Sequence, residues 1–324
     1  MLRRIAIFLI LFLPVINVAS QQLPLYSQYM MNGFMLNSAM AGYDGFTSVN
    51  LTARQQWLGI ENAPQTFSLS LQTRILKRSW QIKSKPLRNN KFIPARTGRV
   101  GLGIVIFSDR NGAFTQTGAT MSYAYHIPFP NSQLSFGLSG SLSQFKIDIT
   151  SSDFRGNWDP KSSILAQPFY VPDANAGVFY THKDFYAGLS IAQLLQSAVK
   201  IGNPGLDAFH ASRSYIILAG YKFAQHGDLS YEPSVLIKTT EQLFPQVDLS
   251  LKAIYYENYW VGFSYRTTNT LIFLVGIKKN RIYIGYAFDY SFNAFQSYTL
   301  GSHELNIALK FGDSAKRYKW LNRY

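Results

Sequence analysis

From residue 47 to residue 311 the chain alternates apolar and polar residues with a period of two. Phe67, Leu69 and Leu71 alternate with Ser68, Ser70 and Gln72, and Val247, Leu249 and Leu251 with Asp248, Ser250 and Lys252. Leu305, Ile307, Leu309 and Phe311 repeat the pattern near the end of the sequence. In an extended strand successive side chains point to opposite faces, so each such segment has one apolar and one polar side. Fourteen segments read this way: 47–57, 64–74, 99–107, 116–127, 132–144, 173–180, 184–190, 214–223, 227–238, 245–255, 258–266, 270–277, 280–289 and 303–311. Lengths of roughly 8 to 12 residues suit a tilted strand crossing a bilayer. An even number of antiparallel strands can close on itself, leaving no unpaired edge for lipid to meet.

The connections carry a second regularity. Those after even-numbered segments are tight (128–131, 181–183, 224–226, 256–257 and 278–279), whereas 145–172, 191–213 and 290–302, after odd-numbered ones, are long. Only 75–98 breaks the rule. Outer-membrane barrels have short periplasmic turns and long external loops; a soluble sandwich has no reason to sort its loops by parity. The predicted fold is all-β, a transmembrane antiparallel outer-membrane β-barrel of about 14 strands occupying 47–311.

The flanking segments fit that class. Arg3 and Arg4 precede an apolar run, Ile5 to Val18, and Val18-Ala19-Ser20 offers small residues for cleavage, so 1–20 reads as a signal peptide. No later apolar run approaches the ~20 residues of a spanning helix. Segment 21–46 is too polar and irregular for lipid and is expected on the periplasmic side or folded into the lumen as a plug. Tyr and Phe near strand ends, among them Tyr123, Tyr125, Tyr255, Tyr259 and Tyr265, suit interfacial girdles. A hydrophobic fraction of 47% excludes disorder, and the lack of cysteine excludes disulfides, thiolate metal sites and thiol catalysis.

The charge is local. Of a formal +14, Arg3 and Arg4 leave with the signal peptide. The remainder matches the insert 74–99 (Arg74, Lys77, Arg78, Lys83, Lys85, Arg88, Lys91, Arg96 and Arg99) and the tail 312–324, with Lys316, Arg317, Lys319 and Arg323 against Asp313. Parity places both on the periplasmic side. Lys77, Arg78, Lys83, Lys85, Arg88, Lys91, Lys316, Arg317 and Lys319 are candidates for docking an acidic periplasmic partner or for contact with lipid headgroups. Export argues against nucleic acid. Arg54, Glu232, Lys238, Asp248, Lys252, Arg266 and Glu304 lie on polar strand faces and so point into the lumen, either as a salt-bridged wall or as a solute pathway.

Motifs of catalysis are absent. His303-Glu304 starts like a zinc-protease helix, but Ile307 stands where the second histidine belongs. Asp109-Arg110-Asn111-Gly112 lacks a calcium-loop series and reads as a polar hairpin turn. No enzyme activity, metal or cofactor is expected.

An ordered set of blocks carries a resemblance. Pro24 to Asn32, Asn37-Ser38-Ala39-Met40-Ala41-Gly42, Arg54-Gln55-Gln56-Trp57-Leu58-Gly59, Ala63-Pro64-Gln65-Thr66, Gly285-Tyr286-Ala287-Phe288-Asp289-Tyr290-Ser291 and Gly301-Ser302-His303-Glu304 together resemble the PorP/SprF family of type IX secretion membrane proteins from Bacteroidota. Where that family has Asn-Pro-Ala, this chain has Asn37-Ser38-Ala39. The resemblance implies an outer-membrane barrel supporting export or surface anchoring of cargo such as adhesins, often linked to gliding motility. Its partners would be periplasmic secretion machinery, a cargo protein's C-terminal sorting domain, or both. The family-like positions are Gln28, Tyr29, Asn37, Ala39, Gly42, Arg54, Gln56, Trp57, Tyr286, Asp289, His303 and Glu304. Gln28, Tyr29, Asn37, Arg54, Gln56, Trp57, Arg266, Asp289, His303 and Glu304 are the candidate lumen and plug residues. A solute channel or hydrophobic-substrate transporter of similar strand number is the alternative function.

Overall fold

The computed structural model describes residues 26–75, 99–147, 168–196, 212–224, 228–241 and 243–311. The strands are β1 (Thr47–Gln55), β2 (Gln65–Ile75), β3 (Val100–Asn111), β4 (Phe114–Pro128), β5 (Ser132–Ile147), β6 (Phe169–His182), β7 (Phe185–Ala192) and β8 (Ser214–Tyr221). They continue as β9 (Phe223–Ala224), β10 (Leu229–Thr240), β11 (Leu243–Tyr255), β12 (Tyr259–Arg266), β13 (Thr270–Lys279), β14 (Ile282–Ser291) and β15 (Ser302–Phe311). The two-residue β9 prolongs β8 beyond a break at Lys222, and both pair with β10, so the wall has fourteen staves. All neighbours are antiparallel, and β15 pairs with β1 from Thr47↔Phe311 to Gln55↔His303, which closes the ring.

Burial follows the sequence alternation with its sense inverted relative to a soluble protein. Along β2, Ser68 and Ser70 are 3% and 0% exposed, while Phe67, Leu69 and Leu71 are 54%, 45% and 42% exposed. Apolar-out, polar-in is stable only where the outside is hydrocarbon. Nor is the inner wall polar throughout. Ile216, Leu218, Leu236, Ile272 and Leu274 point inward and pack with Tyr29, Met30, Phe34 and Met40 of the segment preceding β1.

Several limits differ from the sequence reading. β3 runs to Asn111 and β4 starts at Phe114, so Asp109–Asn111, expected as a turn, are paired strand residues. The turn is only Gly112–Ala113, with Gly112 at φ +61°. β1 stops at Gln55, and Trp57 has φ +46° in the connection 56–64. β6 starts at Phe169, earlier than its alternation suggests, because Pro172 and Asp173 obscure the pattern. Proline is tolerated there because β7 pairs with β6 only from Ala176 onward, leaving Pro172 with a single strand neighbour.

One rim, at the start of β1 and the end of β15, holds the tight turns 129–131, 183–184, 256–258 and 280–281. The opposite rim holds the long connections 148–168, 193–213 and 292–301, but also the short Gly112–Ala113 and 267–269, so the loop asymmetry is looser than strict parity. The signal-peptide segment 1–20 and the docking candidates of the insert and tail (Lys77, Arg78, Lys83, Lys85, Arg88, Lys91, Lys316, Arg317 and Lys319) lie outside the described residues.

Candidate functional site

The inner wall of the closing seam carries the strongest electrostatics. Arg54 on β1 and Glu304 on β15 are register partners. The guanidinium donates through Nη1 to Glu304 Oε2 at 3.0 Å and through Nη2 to Asp289 Oδ2 at 2.6 Å. Arg266, on β12, donates through Nε and Nη2 to Asp248 at 3.0 and 2.8 Å, and its Nη1 lies 3.8 Å from Asp289 Oδ2. These five side chains are almost wholly buried. Burying a charge costs several kcal/mol unless pairing and hydrogen bonds compensate, and planar forks facing carboxylates compensate best.

The pairs are completed by the lumen segment. Ser27 N and Gln28 N donate to the two carboxylate oxygens of Glu304 at 2.7 and 2.9 Å. Ser27 Oγ donates to Asp289 Oδ2 at 2.7 Å and accepts from Arg54 Nη1 at 2.6 Å. Gln28 Nε2 donates to the carbonyl of Glu304 at 3.1 Å.

Below this level the segment remains attached on every side. The Tyr29 hydroxyl shares hydrogen bonds with Ser234 Oγ (3.1 Å) and Ser250 Oγ (2.9 Å), and Asn32 Nδ2 donates to Ser70 Oγ at 3.0 Å. Two short 3-10 turns, Gly33–Met35 and Ser38–Met40, fold the chain back across the lumen. Asn37 caps the second, its Oδ1 accepting from Ala39 N at 2.9 Å. Its Nδ2 reaches the wall and donates to the carbonyls of Val178 (3.0 Å) and Leu189 (3.3 Å). Near the short-turn rim, His126 Nε2 donates to Ala41 O at 2.9 Å and Gln133 Nε2 to Tyr43 O at 3.1 Å. Arg74 Nη1 donates to Gln133 Oε1 at 2.8 Å, and Lys310 Nζ to Asp44 Oδ2 at 3.0 Å. The segment thus runs the length of the lumen, from the level of Glu304 to that of Asp44.

Glycines on inward strand positions make this approach sterically possible. A Cβ at Gly103 would overlap the Phe34 ring, at Gly137 the backbone of Ser38 and Ala39, at Gly177 the Asn37 amide and at Gly285 the Gln28 amide. Glycine in a strand interior is unfavourable by itself and marks close approach of another backbone.

Of the sequence candidates, Gln28, Tyr29, Asn37, Arg54, Arg266, Asp289 and Glu304 are brought together in the lumen. Gln56, Trp57 and His303 are not. Gln56 N donates to Pro64 O and Trp57 N to Ser302 Oγ at the long-loop rim. His303 is one residue from Glu304 and therefore faces outward, its Nδ1 2.6 Å from the Tyr286 hydroxyl. Ser27 was missed, as were His126, Gln133 and the glycines, although the inward parity of His126, Gln133 and the glycines was readable. Arg74 and Arg99, counted with the basic insert, belong to the barrel: Arg74 lies inward on β2 and Arg99 Nη1 donates to Tyr125 OH at 3.1 Å.

The model of the type IX secretion system membrane protein PorP/SprF family matches residues 18–309. The chain belongs to that family. Its closed barrel and its family make it an integral outer-membrane protein. No curated protein matches it significantly. Among solved structures, the Ralstonia pickettii toluene transporter TbuX is 11% identical, with 86% of this chain and 92% of that chain covered and a TM-score of 0.47. The Acinetobacter baumannii outer membrane protein Omp33 is 9% identical, with 83% and 100% covered and a TM-score of 0.43. At those scores the likenesses say nothing of solute or cargo. Within this PorP/SprF chain, the family-like blocks before β1, at the end of β1 and on β14–β15 fall at one place, where Arg54, Asp289 and Glu304 grip Ser27 and Gln28.

Proposed function

We propose that this protein is a sealed outer-membrane scaffold of the type IX secretion system that supports export or surface anchoring of cargo such as an adhesin, in the service of gliding motility, through protein contacts. In this reading it performs no chemistry and conducts no solute. The short-turn rim faces the periplasm, where the basic insert and tail meet secretion machinery, and the long-loop rim faces the cell exterior and the cargo. The observation carrying the reading is the attachment of segment 26–46, which satisfies buried charges at one end of the lumen and the wall donors His126, Gln133 and Lys310 at the other. A solute path would have to break that network.

A channel or hydrophobic-substrate transporter is the second reading, favoured by the partly apolar cavity above the 3-10 turns. Affinity purification of the native outer-membrane complex separates them. Recovery of periplasmic secretion-ring proteins or a large adhesin is expected, and isolation as a lone conducting pore overturns the scaffold reading. Charge reversal at Lys83, Lys85, Arg88 and Lys91 is expected to weaken capture of the periplasmic partner, and undiminished capture at physiological salt removes that docking role.

A further inference from the structure

The outward face of the barrel changes character at one place. Among the described residues, outward strand positions hold no acid and three lysines or arginines: Arg110, Lys146 and Lys279. Lys279 lies at the short-turn rim, whereas Arg110 and Lys146 share the long-loop end of β3–β5. Register fixes their relation, because Arg110 pairs with Thr115 and Thr115 with Lys146. The two cations therefore flank β4, two inter-strand gaps or about 10 Å apart at the backbone, and both are exposed.

The outward rows beneath them grade into the hydrocarbon band. In the next row Ser108, Thr117, Gln144 and Tyr170 are consecutive register partners, and Gln144 Nε2 donates to the Tyr170 hydroxyl at 2.8 Å. The row after that is apolar, with Ile106 and Leu142 flanking Ala119 and exposed by 49% and 48%. Successive rows are separated by two residues, roughly 7 Å of strand. Shortened by strand tilt, that spacing puts the hydroxyl row at the edge of the hydrocarbon and the cations at headgroup depth. At the same rim β12–β14 present Tyr265, Leu271 and Tyr290 instead, a girdle without cations.

We propose that the outer surface of β3–β6 is a binding site for a phosphorylated glycolipid of the outer leaflet, with its phosphate held between Arg110 and Lys146. Arg110 Nη2 donates to Asn62 Oδ1 at 3.2 Å, which steadies the guanidinium, and a guanidinium has five N–H donors with which to meet a phosphate as well. Lys146 brings the second charge from across β4, and Thr115 stands between them. The sugar rests against the row of Ser108, Thr117 and Gln144, and the acyl chains run down the wall past Ile106 and Leu142. Charge complementarity alone would also suit an acidic polypeptide, but only an amphiphile meets the cations and the apolar wall directly beneath them in one molecule. The inference goes beyond the scaffold reading and takes from it one element, the long-loop rim facing the cell exterior.

The test uses the full-length protein in detergent, titrated with monophosphoryl lipid A or with the same lipid dephosphorylated and read by native mass spectrometry. The phosphorylated lipid is expected to be retained in preference. Arg110→Gln and Lys146→Gln are each expected to weaken its retention about fivefold, while Lys279→Gln, at the opposite rim, leaves it unchanged. All three variants are expected to keep the heat-modifiable mobility of a folded barrel on gels. Equal retention of the two lipids, or equal retention by the parent and the Arg110→Gln, Lys146→Gln double variant, overturns the proposal. So does release of the lipid by millimolar inorganic phosphate or by a polyglutamate peptide. Orientation is checked separately, since the chain has no cysteine: Ala113→Cys, in the β3–β4 turn, is expected to react with a membrane-impermeant maleimide on intact cells. Reaction there without any preference for the phosphorylated lipid removes the lipid site and leaves the scaffold reading standing. Reaction only after lysis removes the orientation on which both rest.

Discussion

Arg54 shows how one side chain joins wall and lumen. It is 3% exposed and touches Asp289, Glu304 and Ser27 at once. Removing one partner of a buried ion pair leaves an uncompensated charge, at a cost of about 3–5 kcal/mol. Arg54→Ala is therefore expected to lower resistance to unfolding in urea far more than Arg99→Ala, whose hydrogen bond to Tyr125 is exposed; equal midpoints would contradict the role given to Arg54. Arg54→Lys keeps the charge but loses the fork that reaches two carboxylates and is expected to fall between. Parity along β1 and β15 placed Arg54 and Glu304 inward from sequence alone. The same parity turns His303 outward, and grouping it with the lumen residues followed the adjacency of the Ser302-His303-Glu304 block instead of the strand geometry. Ser27 was unreadable because it lies on no strand and its two carboxylate partners are more than 260 residues away in sequence.

At the scale of elements, the strands were legible and the local shape of the segment before β1 was not. Alternation over eight or more residues identifies a strand without tertiary information, whereas two 3-10 turns of three residues have no period to detect. Their shape is imposed by the wall, through Asn37 on the ladder carbonyls of β6 and β7 and through glycines that admit the backbone. Gly137→Val is expected to displace the Ser38–Met40 turn and yield a leaky barrel in liposome-swelling assays, while Gly140→Val, at a position with open space around its Cβ, stays tight. Similar swelling rates for the two variants would contradict the cradle. Strand ends were missed where proline or a polar triplet masked the pattern, at Pro172 and at Asp109–Asn111.

At the scale of the molecule, the seam where β1 meets β15 is also where the lumen segment is held, so closure and filling of the barrel depend on the same residues. The described part of the short-turn rim exposes Arg99, Lys183, Lys279 and Arg281 against Asp228 and Glu257, and the sequence adds the basic insert and tail on the same side. Reversing Lys183, Lys279 and Arg281 together is expected to slow association with an acidic periplasmic partner and to flatten its salt dependence, as steered encounters require. Unchanged association rates across ionic strengths would place the contact elsewhere.

Single-channel recording in planar bilayers tests the sealed scaffold most directly. The intact protein is expected to give no resolvable ionic current, and a variant lacking residues 21–42 to give a steady open current. A parent that conducts as freely as the deletion variant, or a deletion variant as tight as the parent, contradicts the account.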